Sequence, residues 1–516
     1  MIAKVFSGAV LGIDAYIVEV EVDTAFGLPV FSTVGLPDNA VKESKDRVRA
    51  ALKNSGYEFP AKHITVNLAP ADVKKEGTTF DLPVSIGILT AEGIVKKERL
   101  SDYMILGELS LDGRVKPVKG VLPMAVAAKR EGFKGIILPK ENAEEAALVD
   151  GIEVLGIENL SQLVEFLNGN IEIHACRIDI ETYFKTDGES HVDLNEVKGQ
   201  EHVKRALEIA AAGGHNLLMI GPPGSGKTML ARRMPTVLPD MTLDEAIETT
   251  KIHSVAGLLD GKKALVTARP FRNPHHTISD AGLIGGSRIP KPGEVSLAHN
   301  GILFLDELPE FKKNVLEVLR QPLEDGRVTI SRAAISLTYP SGFILIAAMN
   351  PCPCGFLGDP HKECHCTSMQ IQKYRGKISG PLLDRIDIHC DVPAVRFKEL
   401  SSDTKGESSK DIKARVDIAR KIQTERFAGY PKHEGRKLYS NSQMAGRHIK
   451  KFCGIGDDGK RLLEMAVDKL GLSARAYTRI LKVARTIADM EGEERIKSHH
   501  LSEAIQYRSL DRGMMV

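Results

Sequence analysis

No stretch of this 516-residue chain approaches the roughly 20 consecutive apolar residues that a bilayer-spanning helix needs. The first residues, Met-Ile-Ala-Lys-Val-Phe-Ser-Gly, also lack the long apolar core of a signal peptide, so no membrane association and a cytoplasmic location are expected. Net charge is nearly absent: 70 Lys and Arg against 68 Asp and Glu leave +2. That balance argues against a bulk polyanion binder, so any nucleic-acid contact is expected from local patches or from a ring that brings several copies together. Cysteine is sparse too. Of seven, Cys352, Cys354, Cys364 and Cys366 crowd together, while Cys176, Cys390 and Cys453 are scattered. That distribution excludes a disulfide framework and suits a reducing compartment with one local site. What the chain does have is a 42% hydrophobic fraction, ample for packed cores, and a length that predicts roughly three domains.

Gly221-Pro222-Pro223-Gly224-Ser225-Gly226-Lys227-Thr228 follows an apolar run and leads into a helical pattern, the form of a phosphate-binding P-loop. Glycines let backbone amides curl around phosphates, and the following helix turns its positive end toward them. Lys227 is expected to reach the terminal phosphates of ATP or GTP, and the Thr228 hydroxyl to hold Mg²⁺. Downstream, Ile-Leu-Phe-Leu-Asp306-Glu307 reads as a buried parallel strand ending in two carboxylates. Asp306 is expected to complete the Mg²⁺ shell from the second sphere, and Glu307 to polarise the water that attacks the γ-phosphate, so hydrolysis rather than binding alone is predicted.

Residues 1–170 mix short β-like runs (15–22, 63–68, 135–138) with helical stretches such as 121–130 and read as an α+β domain. Polar, irregular residues 171–194 read as a linker. Residues 195–395 alternate apolar strands and helices up to a strand over 343–349, as a parallel sheet covered on both faces requires. Residues 396–516 open on a flexible loop over 401–410 and turn helical, clearest over 474–489, where Ile480, Leu481, Ala484, Ile487 and Ala488 make an apolar stripe. Residues 326–339 alternate polar and apolar around a turn near 332–334 and predict a β-hairpin.

Cys352-Pro-Cys354 and Cys364-His-Cys366 are two closely spaced pairs joined by a glycine-containing loop, with His361 and His365 nearby. Four thiolates can close a tetrahedral, structural Zn²⁺ site. The spacing is Cys-x-Cys rather than the commoner Cys-x-x-Cys, so reduced thiols or a redox-labile pair stay open alternatives.

Four further stretches carry a resemblance. They are Gly199-Gln200 with Lys-Arg-Ala-Leu-Glu-Ile-Ala-Ala-Ala-Gly-Gly-His-Asn over 204–216, and Phe-Arg-Asn-Pro-His-His-Thr-Ile-Ser-Asp-Ala-Gly-Leu-Ile-Gly-Gly over 271–286. The others are Asn-Pro-Cys-Pro-Cys-Gly over 350–355 and Ser-Gly-Pro-Leu-Leu-Asp-Arg-Ile-Asp over 379–387. In this order, over essentially the whole chain, they resemble the magnesium-chelatase-like branch of the AAA+ ATPases, and within it the YifB/ComM family associated with bacterial competence. The resemblance implies a multidomain α/β protein: a Lon-protease-like α+β N-terminal domain, a P-loop AAA+ parallel-sheet domain and a C-terminal α-helical lid.

It also implies roles. Asn350 falls where sensor 1 sits, an amide that can read the γ-phosphate and align water. Arg385 looks like the arginine finger supplied to a neighbouring subunit, which makes a homo-oligomeric ring, a hexamer, the working form. Arg475 resembles the sensor 2 arginine of the lid, with Arg479 one turn away as an alternative. In this branch the hairpin before sensor 1 projects into a central pore, where Arg327, Arg332 and the adjacent Lys373, Arg375 and Lys377 could track a DNA backbone; a solvated hairpin without a partner is the alternative.

The N-terminal domain resembles the proteolytic domain of Lon over 75–83, 107–115 and 135–142, but Thr79 stands where that pattern has its nucleophilic serine and Leu122 where the dyad lysine should follow. Without an amine to take its proton the Thr79 hydroxyl stays unactivated, so no peptidase activity is expected, and the domain reads as a scaffold or DNA-facing collar. Three function classes follow. The first is an ATP-driven DNA translocase or branch-migration helicase, as the competence family implies. The second is a magnesium-chelatase-type motor remodelling a partner, and the third an ATP-dependent chaperone or protease.

Overall fold

The computed structural model describes residues 2–75, 77–179, 184, 192–259, 264–286, 290–331, 336–359, 362–394, 406–430 and 438–508. It divides into two compact units, residues 1–186 with 243–267, and residues 187–242 with 268–516.

The first unit is built on a seven-stranded mixed sheet in the order Phe31–Val34, His63–Ala69, Asp14–Ala25, Ile2–Leu11, Tyr103–Ile105, Gly135–Pro139, Glu153–Ile157. Its centre is the long antiparallel pair Ile2–Leu11 and Asp14–Ala25, reversed at Gly12, whose φ of 70° suits glycine. Alternation then decides the faces, and Val18, Val20 and Val22 all point into the core. The helix Asp81–Ala91 is buried on every side, which is why it lacks an amphipathic pattern. Gly87 lets it lie close on the sheet, since a Cβ there would meet Val22 Cγ2 at 2.5 Å. The runs predicted at 15–22, 63–68, 121–130 and 135–138 become Asp14–Ala25, His63–Ala69, the helix Val121–Arg130 and Gly135–Pro139.

One segment departs from the linear division read in the sequence. Residues 243–267, inside the stretch assigned to the nucleotide domain, belong with the first unit. Their helix Leu243–Ala256 packs there, with Ser254 Oγ donating to buried Glu145 Oε1 at 2.5 Å. Residues 180–183 and 185–191 of the expected linker lie outside the described residues, as do 401–405 of the expected loop; that loop is also shorter than expected, because a helix begins at Ser409, capped by Ser408.

The second unit holds a five-stranded sheet in the order Phe271–Arg272, Ile302–Leu305, Ile344–Met349, Leu217–Ile220, Ile388–Asp391, with every pairing parallel. Leu217–Ile220 and Ile302–Leu305 are buried throughout, as strands covered on both faces must be. Register matters more than composition here. Ile220 pairs with Met349 and Leu305 with Ala347, so the residues that follow, Gly221, Asp306 and Asn350, leave the sheet at one edge. A crevice at the carboxyl ends of such strands is where open α/β sheets bind ligands. Beyond the sheet, the helices Ser409–Phe427, Asp457–Leu470, Ala474–Met490 and Ser498–Gln506 share a continuous core with it. The predicted stripe Ile480, Leu481, Ala484, Ile487, Ala488 lies in that core. The C-terminal region is therefore helical, and it belongs to the same compact unit as the sheet.

The hairpin forms as Arg327–Ser331 against Ser336–Pro340, with Thr329 opposite Thr338. Its turn, and Arg332 with it, lies outside the described residues.

Candidate functional site

At the end of the Leu217–Ile220 strand the chain turns through residues only glycine can supply. A Cβ on Gly221 would fall 2.0 Å from Val392 O, while Gly224 and Gly226 adopt φ of 77° and 90°. The helix Lys227–Arg233 starts directly behind Gly226, opening its first N–H groups toward the loop. The Lys227 amine lies inside the loop, donating to Gly221 O at 2.7 Å, Pro222 O at 2.9 Å and, at 3.3 Å, to Asn350 Oδ1. Burial lowers its pKa, against which Asp306 acts. Gln200, to which no role falls from sequence, braces the loop from outside: its Nε2 donates to Ser225 O at 2.8 Å and Pro393 O at 2.9 Å.

Opposite, Thr228 Oγ1 donates to Asp306 Oδ2 at 2.6 Å, joining the residue expected to ligate Mg²⁺ to the one expected in its second sphere. An alcohol and a carboxylate beside the phosphate loop are the hard oxygen donors that Mg²⁺ takes, so these residues fit the ion. Asp306 Oδ1 accepts the Glu307 N–H at 3.0 Å. Glu307 itself is left-handed, φ 52°, with its side chain 60% exposed and Oε2 3.4 Å from His276 Nδ1. His276 of the 271–286 stretch thus lies beside the site, although the sequence offered only its presence in a family stretch.

The three arginines separate clearly. Arg479 forms an ion pair with Asp387, a buried carboxylate that also faces His215 Nδ1 at 3.4 Å. Burial pushes Asp387 up, but Arg479 and then His215 hold it far below the usual carboxylate range. Arg385 is folded inward, its side chain 7% exposed, paired with Glu324 and donating to Pro381 O at 2.6 Å. Glu324 also lies 3.9 Å from Arg475, which is 56% exposed. The carboxylate between them is held below its ordinary value, first by Arg385. A finger reaching a neighbouring nucleotide from Arg385 must therefore first leave Glu324, a partner that local sequence did not suggest.

The four clustered cysteines converge. Cys352 Sγ is 3.4 Å from Cys354 Sγ and 3.6 Å from Cys364 Sγ, Cys354 N donates to Cys366 Sγ at 3.4 Å, and all four sulfurs lie within 4.8 Å of one another. Tetrahedral zinc with Zn–S of about 2.3 Å sets sulfurs about 3.8 Å apart, so the donor set fits a structural site. Gly355, directly after the first pair, lies close against the phosphate loop: a Cβ there would meet Pro223 Cδ at 2.5 Å. His361 lies outside the described residues.

On the hairpin, Val328 and Ile330 face the core and Tyr339 Oη donates to Pro290 O at 2.6 Å, leaving Thr329, Ser331, Ser336 and Thr338 on the exposed face. Arg375 Nε is engaged with Pro351 O at 3.1 Å, and Lys377 sits 3.3 Å from Glu310, while Lys373 is exposed. In the first unit, the place expected for a dyad lysine is filled by fully buried Leu122, whose N–H donates to Glu145 Oε1 at 2.9 Å.

Parallel strands that deliver a glycine loop, an acidic pair and an asparagine to one edge, backed by a helical region, are how a P-loop ATPase of the AAA+ type builds its nucleotide site. Comparison with known proteins narrows that class. Residues 193–400 match the family described as "Magnesium chelatase, subunit ChlI", residues 20–142 "Subunit ChlI of Mg-chelatase", and residues 406–508 "Magnesium chelatase, subunit ChlI C-terminal". The chain is 46% identical over 515 residues to the competence protein ComM of Haemophilus influenzae, covering 99% of this chain and 98% of that one. To YifB of Escherichia coli it is 44% identical over 512 residues, covering 98% and 97%. Lon protease 2 of Bacillus subtilis shares 32% identity over 126 residues, 24% of this chain and 22% of that one. The chain belongs to the YifB/ComM family of magnesium-chelatase-like AAA+ ATPases. Among the described residues no helix is long and apolar enough to cross a membrane.

Proposed function

We propose that this chain hydrolyses ATP to drive a motor on DNA, a branch-migration helicase or translocase serving recombination or natural transformation. The observation that carries the reading is full-length likeness to a protein named for competence, supported by the meeting of Lys227 with Asn350 and of Thr228 with Asp306 at one sheet edge. Lys227 releases its own loop carbonyls to take the terminal phosphates, and the loop amides bind the rest. Thr228, with Asp306 behind it, would hold Mg²⁺, which when bound would supply positive charge to the phosphate oxygens. Glu307 orients the attacking water and Asn350 reads the γ-phosphate. Arg475 is the better sensor 2, because Arg479 is committed to the buried Asp387 and Arg475 is not buried. Arg385, once off Glu324, acts in trans, which makes a ring, a hexamer, the active form in the cytoplasm. The hairpin with Arg327 and Arg332 faces DNA in its pore.

The Cys352, Cys354, Cys364, Cys366 group holds zinc and clamps the chain after Asn350. The first unit is a Lon-like fold without peptidase activity, since Leu122 brings no amine. A second reading, a magnesium-chelatase-type motor that remodels a protein partner, is favoured by the descriptions of all three matched segments. A chaperone or protease is the least supported.

Steady-state ATPase activity without DNA, with single-stranded DNA and with a Holliday junction separates these, using Lys227→Ala and Glu307→Gln as controls. DNA stimulation lost in both variants supports the motor; hydrolysis indifferent to DNA removes it in favour of the remodelling reading. Arg385→Ala tests the ring: turnover and its rise with protein concentration are both expected to fall.

A further inference from the structure

One edge of the seven-stranded sheet in the first unit is open, and the chain beside it is apolar. The strand Phe31–Val34 stands last in the sheet order and pairs with His63–Ala69 alone. Its ladder begins where Ile64 N donates to Val30 O at 2.8 Å. Residues of a parallel strand alternate between facing their partner and facing away, so Ser32 and Val34 follow Val30 toward His63–Ala69, and the N–H and C=O of Phe31 and Thr33 point to the open side. Among the described residues no backbone bond meets them there. The opposite edge is different: outside Glu153–Ile157 the chain returns, and Cys176 N donates to Val154 O at 2.8 Å.

The side chains sharpen the contrast. Phe26 is 95% exposed, Leu28 82%, Leu36 54%, and Val30 and Val34 47% each. From Ala25 to Pro37 no residue carries a charge. The Lys62 amine lies 5.4 Å from the Phe26 ring centroid, but it is itself paired with Glu92 at 2.7 Å. Open edges are ordinarily blunted by charges, prolines or bulges. Here Pro29 and Pro37 only bracket the strand, and nothing within it blocks pairing. Leu36 adds a second cost, because its φ of 57° is a left-handed conformation that leucine adopts only under constraint, and it leaves the side chain in solvent.

We infer that this edge joins two copies of the chain across a two-fold axis, Phe31–Val34 pairing antiparallel with itself. Such an axis sets residues close to it against their own counterparts, where like charges repel, so it suits a stretch that has none. With Ser32 on the axis, Phe31 of one copy faces Thr33 of the other, and their outward groups exchange four bonds. The apolar side chains flank that ladder. A specific interface needs about 600 Å² from each partner, an amount that five large apolar side chains at these exposures can supply. The contact uses no residue of the nucleotide site, so it stands or falls apart from the ATPase reading.

The test is sedimentation velocity of the full chain, without nucleotide, over a concentration series. Wild type should dimerise. Thr33→Pro removes an outward donor but no bond to His63–Ala69, and Leu28→Asp sets like charges near the axis; each should weaken dimerisation about tenfold or more. Ser32→Cys reads the register, since its sulfur would meet its counterpart on the axis: mild oxidation should link two chains, with no comparable link in wild type or in Ser32→Cys combined with Thr33→Pro. A chain that stays monomeric at every concentration overturns the inference, leaving the edge to an extended segment of another protein. A dimer that both single variants leave intact overturns it too, as does a Ser32→Cys protein that does not link. Circular dichroism of each variant shows that a lost dimer is not a lost fold, and Ser32→Cys, which only exchanges one small side chain, keeps the test open if Thr33→Pro does not fold.

Discussion

The amine of Lys227 donates to the side-chain oxygen of Asn350 at 3.3 Å, linking the phosphate loop to the end of the next strand. The pair exists because Ile220 and Met349 are register partners, so the residues beyond them emerge together. Asn350 therefore lies beside whatever Lys227 holds. Asn350→Ala is expected to lower kcat for ATP on the order of a hundredfold while nucleotide still binds, as for loss of one aligned polar group at a reacting phosphate. Steady-state kinetics with an analogue-binding control checks it; an equal loss in binding would move Asn350 from the reaction to the binding of ground-state ATP.

Gly221 has no room for a side chain. With Val392 O only 2.0 Å from the position of a Cβ, Gly221→Ala must push the strand Ile388–Asp391 and the loop apart. The expected stability loss is about 1–3 kcal/mol, read from urea unfolding, together with weaker nucleotide binding. Gly224→Ala meets nothing within 4 Å and suffers only through its φ of 77°, so it should cost less.

The sulfur cluster predicts a metal content. Purified protein is expected to carry about one zinc per chain, set by four thiolates at tetrahedral spacing, and Cys364→Ser to lose it. Because Gly355 abuts Pro223, stripping the zinc with a chelator should weaken nucleotide binding before it unfolds the protein. Metal analysis and thiol titration decide: four thiols that react freely in the native protein, with little zinc, would leave a reduced-thiol cluster instead.

His389 gives the second unit a pH dependence. Burial, and next the Arg508 cation, push this histidine from 6.5 down to about 3. The folded protein keeps it neutral while the unfolded chain takes up a proton below 6.5, so its contribution is complete above that pH and is lost as pH falls toward 3. The loss should not exceed about 1.4 kcal/mol per pH unit. Urea unfolding of wild type and His389→Gln at pH 7.5, 6 and 5 checks this: the variant should show the shallower decline.

Local signals were enough for a large part of this protein. The P-loop, the acidic pair at 306–307, the strand before Asn350 and the apolar stripe of the Ala474–Met490 helix are written in short runs, because glycine tolerance, strand burial and helical period are properties of neighbours in sequence. The spacing of the four cysteines suggested one local site, with reduced thiols or a redox-labile pair as alternatives, and the fold brings all four sulfurs together. Other features needed the fold. That 243–267 joins the first unit, that His276 meets Glu307, and that Glu324 stands between Arg385 and Arg475 could not be read off any run of residues. Those contacts join residues tens of positions apart on different elements, and which of them touch is set by strand order, register and the packing of loops; periodicity along the chain carries no record of these.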